Sequence, residues 1–269
     1  MCRRQEQTVL IPPSIYKVLP PIFAFLALIG FWEFGVDYFD VPQYVLPAPS
    51  AIGAAIADHW QSLLRHSGVT LVEAVLGFLL GIAVGLPLAI LISCSPWLER
   101  TIYPLLVASQ SIPKVALAPI FVVWFGFGLL PKVLIAFSIA FFPVVVNTVV
   151  GLSRTPPDMI RLMQSLGSTS VETFLRVRIP MATPYIFAGI KISSAFAVVG
   201  AIVGEFIAAT SGLGYLQLIA NNNLEIPLLF ACLVLLSLIG AVIYYAVVLV
   251  EHLILPAPLR SQENDEARR

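Results

Sequence analysis

Charged residues are scarce in this sequence, and their scarcity decides its class. Only 11% of the 269 residues are charged, 59% are hydrophobic, and the mean hydropathy is +0.94. Soluble domains carry about 25% charged residues, so this composition excludes a soluble globular protein. The formal net charge is +0, which leaves no electrostatic basis for binding nucleic acid.

Motifs for metal, redox and nucleotide chemistry are also lacking. The three cysteines and three histidines are scattered and predict neither a disulfide framework nor a metal site. The sequence contains no phosphate-binding loop, no H-E-x-x-H and no nucleophile elbow. We therefore expect no catalytic residue, metal or cofactor in this chain, and any ATP hydrolysis must come from a partner.

Apolar runs dominate what is present. Six of them come close to the ~20 residues that a helix needs to cross a bilayer. They cover residues 18–36, 70–93, 101–125, 132–152, 185–209 and 228–253. This predicts an all-α integral membrane protein of about six spans.

The regions around these runs complete the predicted organisation. A membrane domain over residues 18–255 follows a polar segment, 1–17, and precedes a charged tail, 256–269. Between the first two runs, Pro49 and Ser50 open an amphipathic stretch that extends to His66 and suits a helix on the membrane surface.

Small and charged residues in the second run predict its contacts. Gly77, Gly81 and Gly85 recur every four residues, which permits close approach of another helix. Glu73 is expected in the first turn of this span, where an anion opposes the helix dipole.

Prolines break the third run. They are Pro104, Pro113 and Pro119. Gln110, Ser111 and Lys114 lie between them, and such an interrupted helix is tolerated only beside protein or a watery cavity.

Polar groups at membrane depth are candidates for function, because burying them unpaired is costly. Lys114 would meet an anionic substrate or reach water beside Pro113. Asn147 is expected to hydrogen-bond to a neighbouring helix, and Glu205 to help close an outer gate or to pair with a lysine. The predicted translocation path or gate comprises Gln110, Ser111, Lys114, Asn147, Glu205, Gly212 and Gly214.

One polar stretch, residues 154–180, interrupts the apolar pattern between the fourth and fifth runs; we call it the hairpin. Thr155, two prolines and Asp158 are typical of a helix start with Thr155 as N-cap. Gly167 predicts the end of this helix, because a residue without a Cβ adopts a left-handed turn easily.

A second short helix is predicted in the same hairpin. Thr169 with Glu172 three residues later is typical of a capping box, and Pro180 is expected to end the helix. The two helices would be amphipathic, and their apolar face needs a partner that covers it.

The distribution of basic residues predicts the orientation, since they favour the cytoplasm. With a cytoplasmic N-terminus, the outer segments hold only Arg65 and Lys132. The hairpin and both termini are then cytoplasmic.

At the hairpin the residues resemble a known family, the permeases of binding-protein-dependent ATP-binding-cassette importers. Their cytoplasmic loop reads E-A-A, three residues, Gly, nine residues, I-x-L-P. Gly167 and, at the same spacing, residues 177–180 match it, whereas Arg161, Leu162 and Met163 stand in place of E-A-A. The nitrate, sulfonate and taurine branch shares this departure, and it is also similar in its L-P-x-P-S and Q-x-x-P segments.

The resemblance implies the fold of a type I importer permease in a bacterial inner membrane. It implies a second permease copy, two ATPase subunits that hold ATP and magnesium, and an extracytoplasmic solute-binding protein. It further implies that the hairpin couples to the ATPase through Asp158, Arg161, Gln164, Ser165, Leu166, Gly167, Ser168 and Glu172.

The substrate stays open at this level. A small anionic or polar solute such as nitrate, a sulfonate or taurine is one expectation, and a thiamine precursor or flavin-like heterocycle is another. A stand-alone secondary transporter or channel would require similar halves or a chain of buried carboxylates, and a membrane-embedded enzyme would require clustered histidines or acids. The sequence shows none of these features.

Overall fold

The computed structural model describes residues 13–254. Helices and loops make up this part of the chain, and no strand occurs in it, which confirms the all-α prediction. The predicted tail, residues 256–269, and the first twelve residues lie outside the described residues. Residues 13–17, assigned from sequence to the polar segment, are already helical.

Eleven α-helices lie within residues 13–254. They are α1 (Pro13–Tyr38), α2 (Pro49–Asp58), α3 (Trp60–Cys94), α4 (Pro96–Ser109), α5 (Ala118–Phe125), α6 (Leu129–Ser153), α7 (Pro157–Ser165), α8 (Ser170–Thr173), α9 (Ile179–Ala208), α10 (Leu213–Asn222) and α11 (Ile226–Ile254). A 3₁₀ turn (Lys114–Leu117) precedes α5, and a π-helical turn (Phe174–Arg178) joins α8 to α9.

Five of the helical segments in this range are long and apolar enough to cross a bilayer. The pair formed by α4 and the segment Lys114–Phe125 makes a sixth if the two are one span, bent by 85°. The predicted number of about six spans is confirmed, including the break in the third.

Two predicted boundaries were wrong. The helix that opens at Pro49 ends at Asp58, and the residues up to His66 belong to α3. The third run, predicted to begin at residue 101, is helical from Pro96, because Ser95 accepts a hydrogen bond from the Leu98 N–H (3.5 Å) and caps α4.

The described part of the chain divides into two compact units. The first comprises residues 13–60 with 220–231. In it, the carboxylate of Glu33 on α1 accepts hydrogen bonds from the backbone N–H (3.0 Å) and the hydroxyl (2.6 Å) of Ser50. These bonds satisfy donors at the N-terminus of α2, which has no side-chain cap of its own.

The second unit comprises residues 61–219 with 232–254, and close helix contacts define its core. The predicted stripe of Gly77, Gly81 and Gly85 on α3 packs directly on Ala136, Ala140 and Val144 of α6. A Cβ at Gly85 would lie 3.3 Å from the Val144 side chain. The prediction of close approach is confirmed.

Small residues also bring α9 against α6. At Gly189 a Cβ would lie 2.6 Å from the Pro143 carbonyl oxygen, and at Gly200 it would overlap the backbone of Ala136. Ser193 donates a hydrogen bond to the Ala140 carbonyl (2.6 Å). The α6 helix therefore lies between α3 and α9 with little room for larger side chains.

We predict that Gly200→Ala destabilises the protein, because the new methyl group must push the α6 backbone away. Overpacking of this kind costs about 1–3 kcal/mol, which a lowered thermal midpoint in detergent would report. Gly240→Ala on α11 is the matched control: nothing lies within 4 Å of a Cβ there, and alanine is the better helix former by about 1 kcal/mol. Equal midpoints for the two variants would contradict the packing explanation.

Candidate functional site

The first helix of the hairpin ends as expected at Gly167. This residue has φ +79, and its N–H bonds to the Gln164 carbonyl while the Ser168 N–H bonds to the Met163 carbonyl, both at 3.0 Å. This pair of bonds satisfies the carbonyls that a helix end leaves free. The predicted left-handed turn is confirmed.

The start of this helix was assigned wrongly. Pro156, not Thr155, occupies the N-cap, and α7 has no side-chain cap. Thr155 is buried, and its hydroxyl faces back to the Leu152 carbonyl (3.4 Å) at the end of α6.

The second hairpin helix is not a separate element. The predicted capping box is confirmed: the Glu172 N–H donates to the Thr169 hydroxyl (3.2 Å), and the Thr169 N–H to the Glu172 carboxylate (2.9 Å). Pro180, however, does not end the helix. It lies in the first turn of α9, where no N–H is needed, so a helix of 39 residues runs from Ser170 to Ala208.

The hairpin exposes apolar side chains, and its last turn is fixed to the end of α6. Arg178 donates a hydrogen bond to the Leu152 carbonyl (3.2 Å), and Val177 is buried. The predicted coupling residues, 158–172, lie on the projecting part, where Arg161 and Asp158 form an exposed pair (3.5 Å). The exposed apolar side chains are Met159, Leu162, Leu166, Val171 and Leu175.

The predicted path residues do not all come together. Gln110 and Ser111 lie exposed in the turn after α4, at the break of the third span. Nearby in sequence, the Lys114 ammonium lies over the Phe142 ring of α6, 3.9 Å from its centroid. Asn147 donates to the Pro143 carbonyl of its own helix (2.8 Å), so the expected bond to another helix is wrong.

Glu205 and the two glycines form a separate site at the start of α10. The Glu205 carboxylate accepts hydrogen bonds from the Thr70 hydroxyl (2.6 Å) and from the Gly214 N–H. A Cβ at Gly212 would overlap this carboxylate, and Gly212 has φ +120. Residues 213–222, which lie between the predicted fifth and sixth runs, form α10, whose N-terminus is capped in this way.

Residues of α3 complete this site, and sequence reasoning missed them. His66 Nδ1 accepts from the Gly212 N–H (2.9 Å), and the Thr70 hydroxyl accepts from the Leu213 N–H (2.8 Å). Three successive N–H groups therefore find acceptors on neighbouring helices. The only signal in the sequence was Thr70, which lies one helical turn before Glu73 in an apolar run.

A buried ion pair lies beside this site. The Lys132 ammonium of α6 pairs with the Glu73 carboxylate of α3, and both residues are buried. Glu73 is thus far from the first turn of its helix, where it was expected, because α3 begins at Trp60. Its second oxygen, Oε2, is buried without a hydrogen-bond partner.

The family comparison gives a match over most of the chain. Residues 77–255 match the family described as "Binding-protein-dependent transport system inner membrane component". This range includes the broken third span, the hairpin, and α9 to α11.

Two curated relatives are similar over nearly their full length. The formylaminopyrimidine transport permease protein ThiX of Halalkalibacterium halodurans is 38% identical, covering 90% of this chain and 96% of its own. The riboflavin transport system permease protein RibX of Chloroflexus aurantiacus is 37% identical, covering 85% and 86%.

A solved structure shares the fold. A chain from an inward-facing conformation of the MetNI methionine ABC transporter superposes with a TM-score of 0.65 at 21% identity. The match covers 74% of this chain and 99% of that chain.

We predict that Lys132→Met destabilises the protein, since it leaves the Glu73 carboxylate buried and unpaired. Breaking a buried pair costs about 3–5 kcal/mol, and the double variant Lys132→Met/Glu73→Gln should recover most of it. Arg161→Met, in a pair exposed by 78% and 91%, serves as control and should not change the thermal midpoint in detergent. A double variant no more stable than Lys132→Met would contradict the pairing.

Proposed function

Because this chain belongs to the family of binding-protein-dependent transport system inner membrane components, we propose that its hairpin is the contact for an ATPase. The chain is the permease subunit of an ATP-binding-cassette importer and a multi-pass membrane protein. The proposal concerns how it is driven: ATP and magnesium are held, and ATP is hydrolysed, by the partner subunit.

The exposed apolar surface of the hairpin carries this proposal. Leu166 is 71% exposed and Val171 67% exposed, on either side of the turn at Gly167. This part of the chain is polar overall and lies between two spans, so lipid is a poor cover for these side chains. A protein surface that buries them gains hydrophobic stabilisation, about 25 cal/mol per Å² of apolar area.

Charge distribution supports a cytoplasmic hairpin. Arg154, Arg161, Arg176 and Arg178 all belong to it, and basic residues are retained on the cytoplasmic side. The N- and C-termini then also lie in the cytoplasm, and the Glu205 site lies toward the opposite face.

We further propose that two copies of this chain assemble with two ATPase subunits and an extracytoplasmic solute-binding protein. The α4–α5 break supports a path at the side of one copy. Gln110 and Ser111 are exposed at this break, where a single chain offers no second wall, and a second copy would supply it.

Motion of the hairpin would reach the path through α9. Hairpin and span share one helix from Ser170, so displacement of the capped end at Thr169 moves the span that packs on α6. ATP binding then favours one access state by favouring one position of the hairpin.

The substrate that we propose is a small polar heterocycle. Two relatives at 38% and 37% identity are named for a formylaminopyrimidine and for riboflavin. In this chain Gln110 offers an amide for hydrogen bonding near the break. The Phe142 ring offers stacking once a substrate displaces the Lys114 ammonium that lies over it. An anionic solute of the sulfonate or taurine kind, which Lys114 favours, is the competing candidate.

The hairpin prediction uses two substitutions at one position. Gly167→Val should strongly reduce co-purification of the ATPase in detergent, because a β-branched residue at positive φ costs at least about 1–2 kcal/mol. Gly167→Asn is the matched control and should retain more ATPase, since asparagine tolerates this conformation. Apart from its chain neighbours, no described residue comes within 4 Å of a Cβ at 167, so side-chain clashes do not affect the comparison. Wild-type ATPase recovery with valine would count against the hairpin as the contact.

The substrate prediction compares Phe142→Leu with Lys114→Met. For a heterocycle, loss of the ring should lower uptake about tenfold, as expected for one lost stacking contact, and loss of the ammonium should matter less. For an anionic substrate, Lys114→Met should lower uptake more than Phe142→Leu does. Uptake of labelled riboflavin, a formylaminopyrimidine and taurine by cells that express the whole importer measures this; the same order for all three compounds would refute a role in selectivity.

A further inference from the structure

The start of α10 is held by side chains from two other helices rather than by a cap of its own. Helix N-termini leave their first N–H groups without partners. Here those of Gly212, Leu213 and Gly214 are satisfied by acceptors on α3 and α9. We call these acceptors, His66, Thr70 and Glu205, the anchor of α10.

Two members of the anchor, Thr70 and Glu205, are also bonded to each other. The Thr70 hydroxyl donates to Glu205 and accepts from Leu213 (2.6 and 2.8 Å), so it orients the carboxylate and the helix together. His66 accepts at Nδ1, which places its own proton on Nε2. Releasing α10 would therefore break three bonds at once.

The start of α10 lies beside a group of buried charges. Two carboxylates, Glu73 and Glu205, share a buried region with one ammonium, that of Lys132. The ammonium is bound by Glu73, and the Glu205 carboxylate faces the positive end of the α10 dipole, worth about half a unit charge. Moving α10 away would take this partner from a buried carboxylate, which is costly.

Glu205 of the anchor lies on the helix that continues from the hairpin. The segment Ser170–Ala208 is continuous over 39 residues, and 35 residues separate Ser170 from Glu205, or about 50 Å at 1.5 Å per residue. A tilt or rotation imposed at the hairpin end displaces the carboxylate at the far end, where the bonds to α10 have short, directional geometry.

We propose that the anchor is the latch of a gate: it holds α10 closed, and movement of α9 releases it. The proposal rests on the permease role and adds three positioning residues to it, of which only Glu205 was predicted from the sequence. Gly212 and Gly214 are then required because any side chain at 212 would occupy the place of the Glu205 carboxylate.

The test measures access to α10 in the full-length chain in detergent. Leu216 on α10 is buried, 8% exposed; Leu216→Cys, with the three native cysteines replaced by alanine, reports opening through its reaction with a water-soluble maleimide. Glu205→Gln should raise the labelling rate about tenfold. Thr70 and Gly214 donate to different oxygens of the carboxylate, and an amide places an NH2 donor where one of those oxygens was.

Glu251→Gln provides the matched control. Glu251 is also buried, on α11, and pairs with Lys191 (2.8 Å), so the same substitution removes a buried carboxylate outside the anchor. Faster labelling in Glu205→Gln alone supports the latch. An unchanged rate in Glu205→Gln, or an equal increase in both variants, overturns it.

A second variant covers the case in which Glu205→Gln fails to fold. Thr70→Val keeps the shape of the side chain but removes one donor and one acceptor of the anchor, and the same outcomes apply. The labelling uses the permease alone. Failure to recover an ATPase with the chain would therefore refute the proposed function and leave this measurement unaffected.

Discussion

Close contact of α6 with both α3 and α9 is the constraint on which the second unit depends. Glycines at 77, 81 and 85 on one side and at 189 and 200 on the other let backbones approach to van der Waals distance. In an apolar solvent there is little hydrophobic gain from joining two apolar helices, so packing and hydrogen bonds must stabilise the contact. The buried bond from Ser193 to the Ala140 carbonyl lies in this contact.

That close packing decides where polar groups can lie. Lys132 is brought to Glu73 because α3 and α6 are in contact at this level. Gly204 lets α9 approach closely, since a Cβ there would lie 3.0 Å from the Lys132 Cα. Glu205, the next residue, is thereby placed beside Thr70. Lys191 and Glu251 form a second, partly buried pair in the same unit. These four charges are thus paired across helices, as their desolvation cost requires.

The hairpin combines a well-defined backbone with an exposed apolar face. The two helix ends that meet at its turn are capped, the first by the bonds at Gly167 and the second by the box of Thr169 and Glu172. Its leucines remain exposed. A segment with a well-defined backbone and an uncovered apolar face is suited to binding a folded partner with little loss of conformational entropy. The π-helical turn between α8 and α9 is a place where such a helix can adjust, since turns of this kind are common at functional sites.

Local features of this protein could be read from its sequence, because they depend on neighbours a few residues away. The apolar runs, the glycine turn at 167 and the capping box at 169–172 are of this kind, and the structure confirms them. Two predictions failed although the deciding contacts were local as well. Asn147 turned to its own helix, and Pro180 was absorbed into a continuous α9.

Because α3 begins at Trp60, Glu73 lies inside this helix and in a buried ion pair, not in the first turn as predicted. The tertiary structure alone determined that Thr70, Glu205 and the start of α10 meet, since 135 residues separate the first two. Periodicity and capping rules describe one helix at a time, whereas the pairing of buried charges depends on which helices touch and at what level.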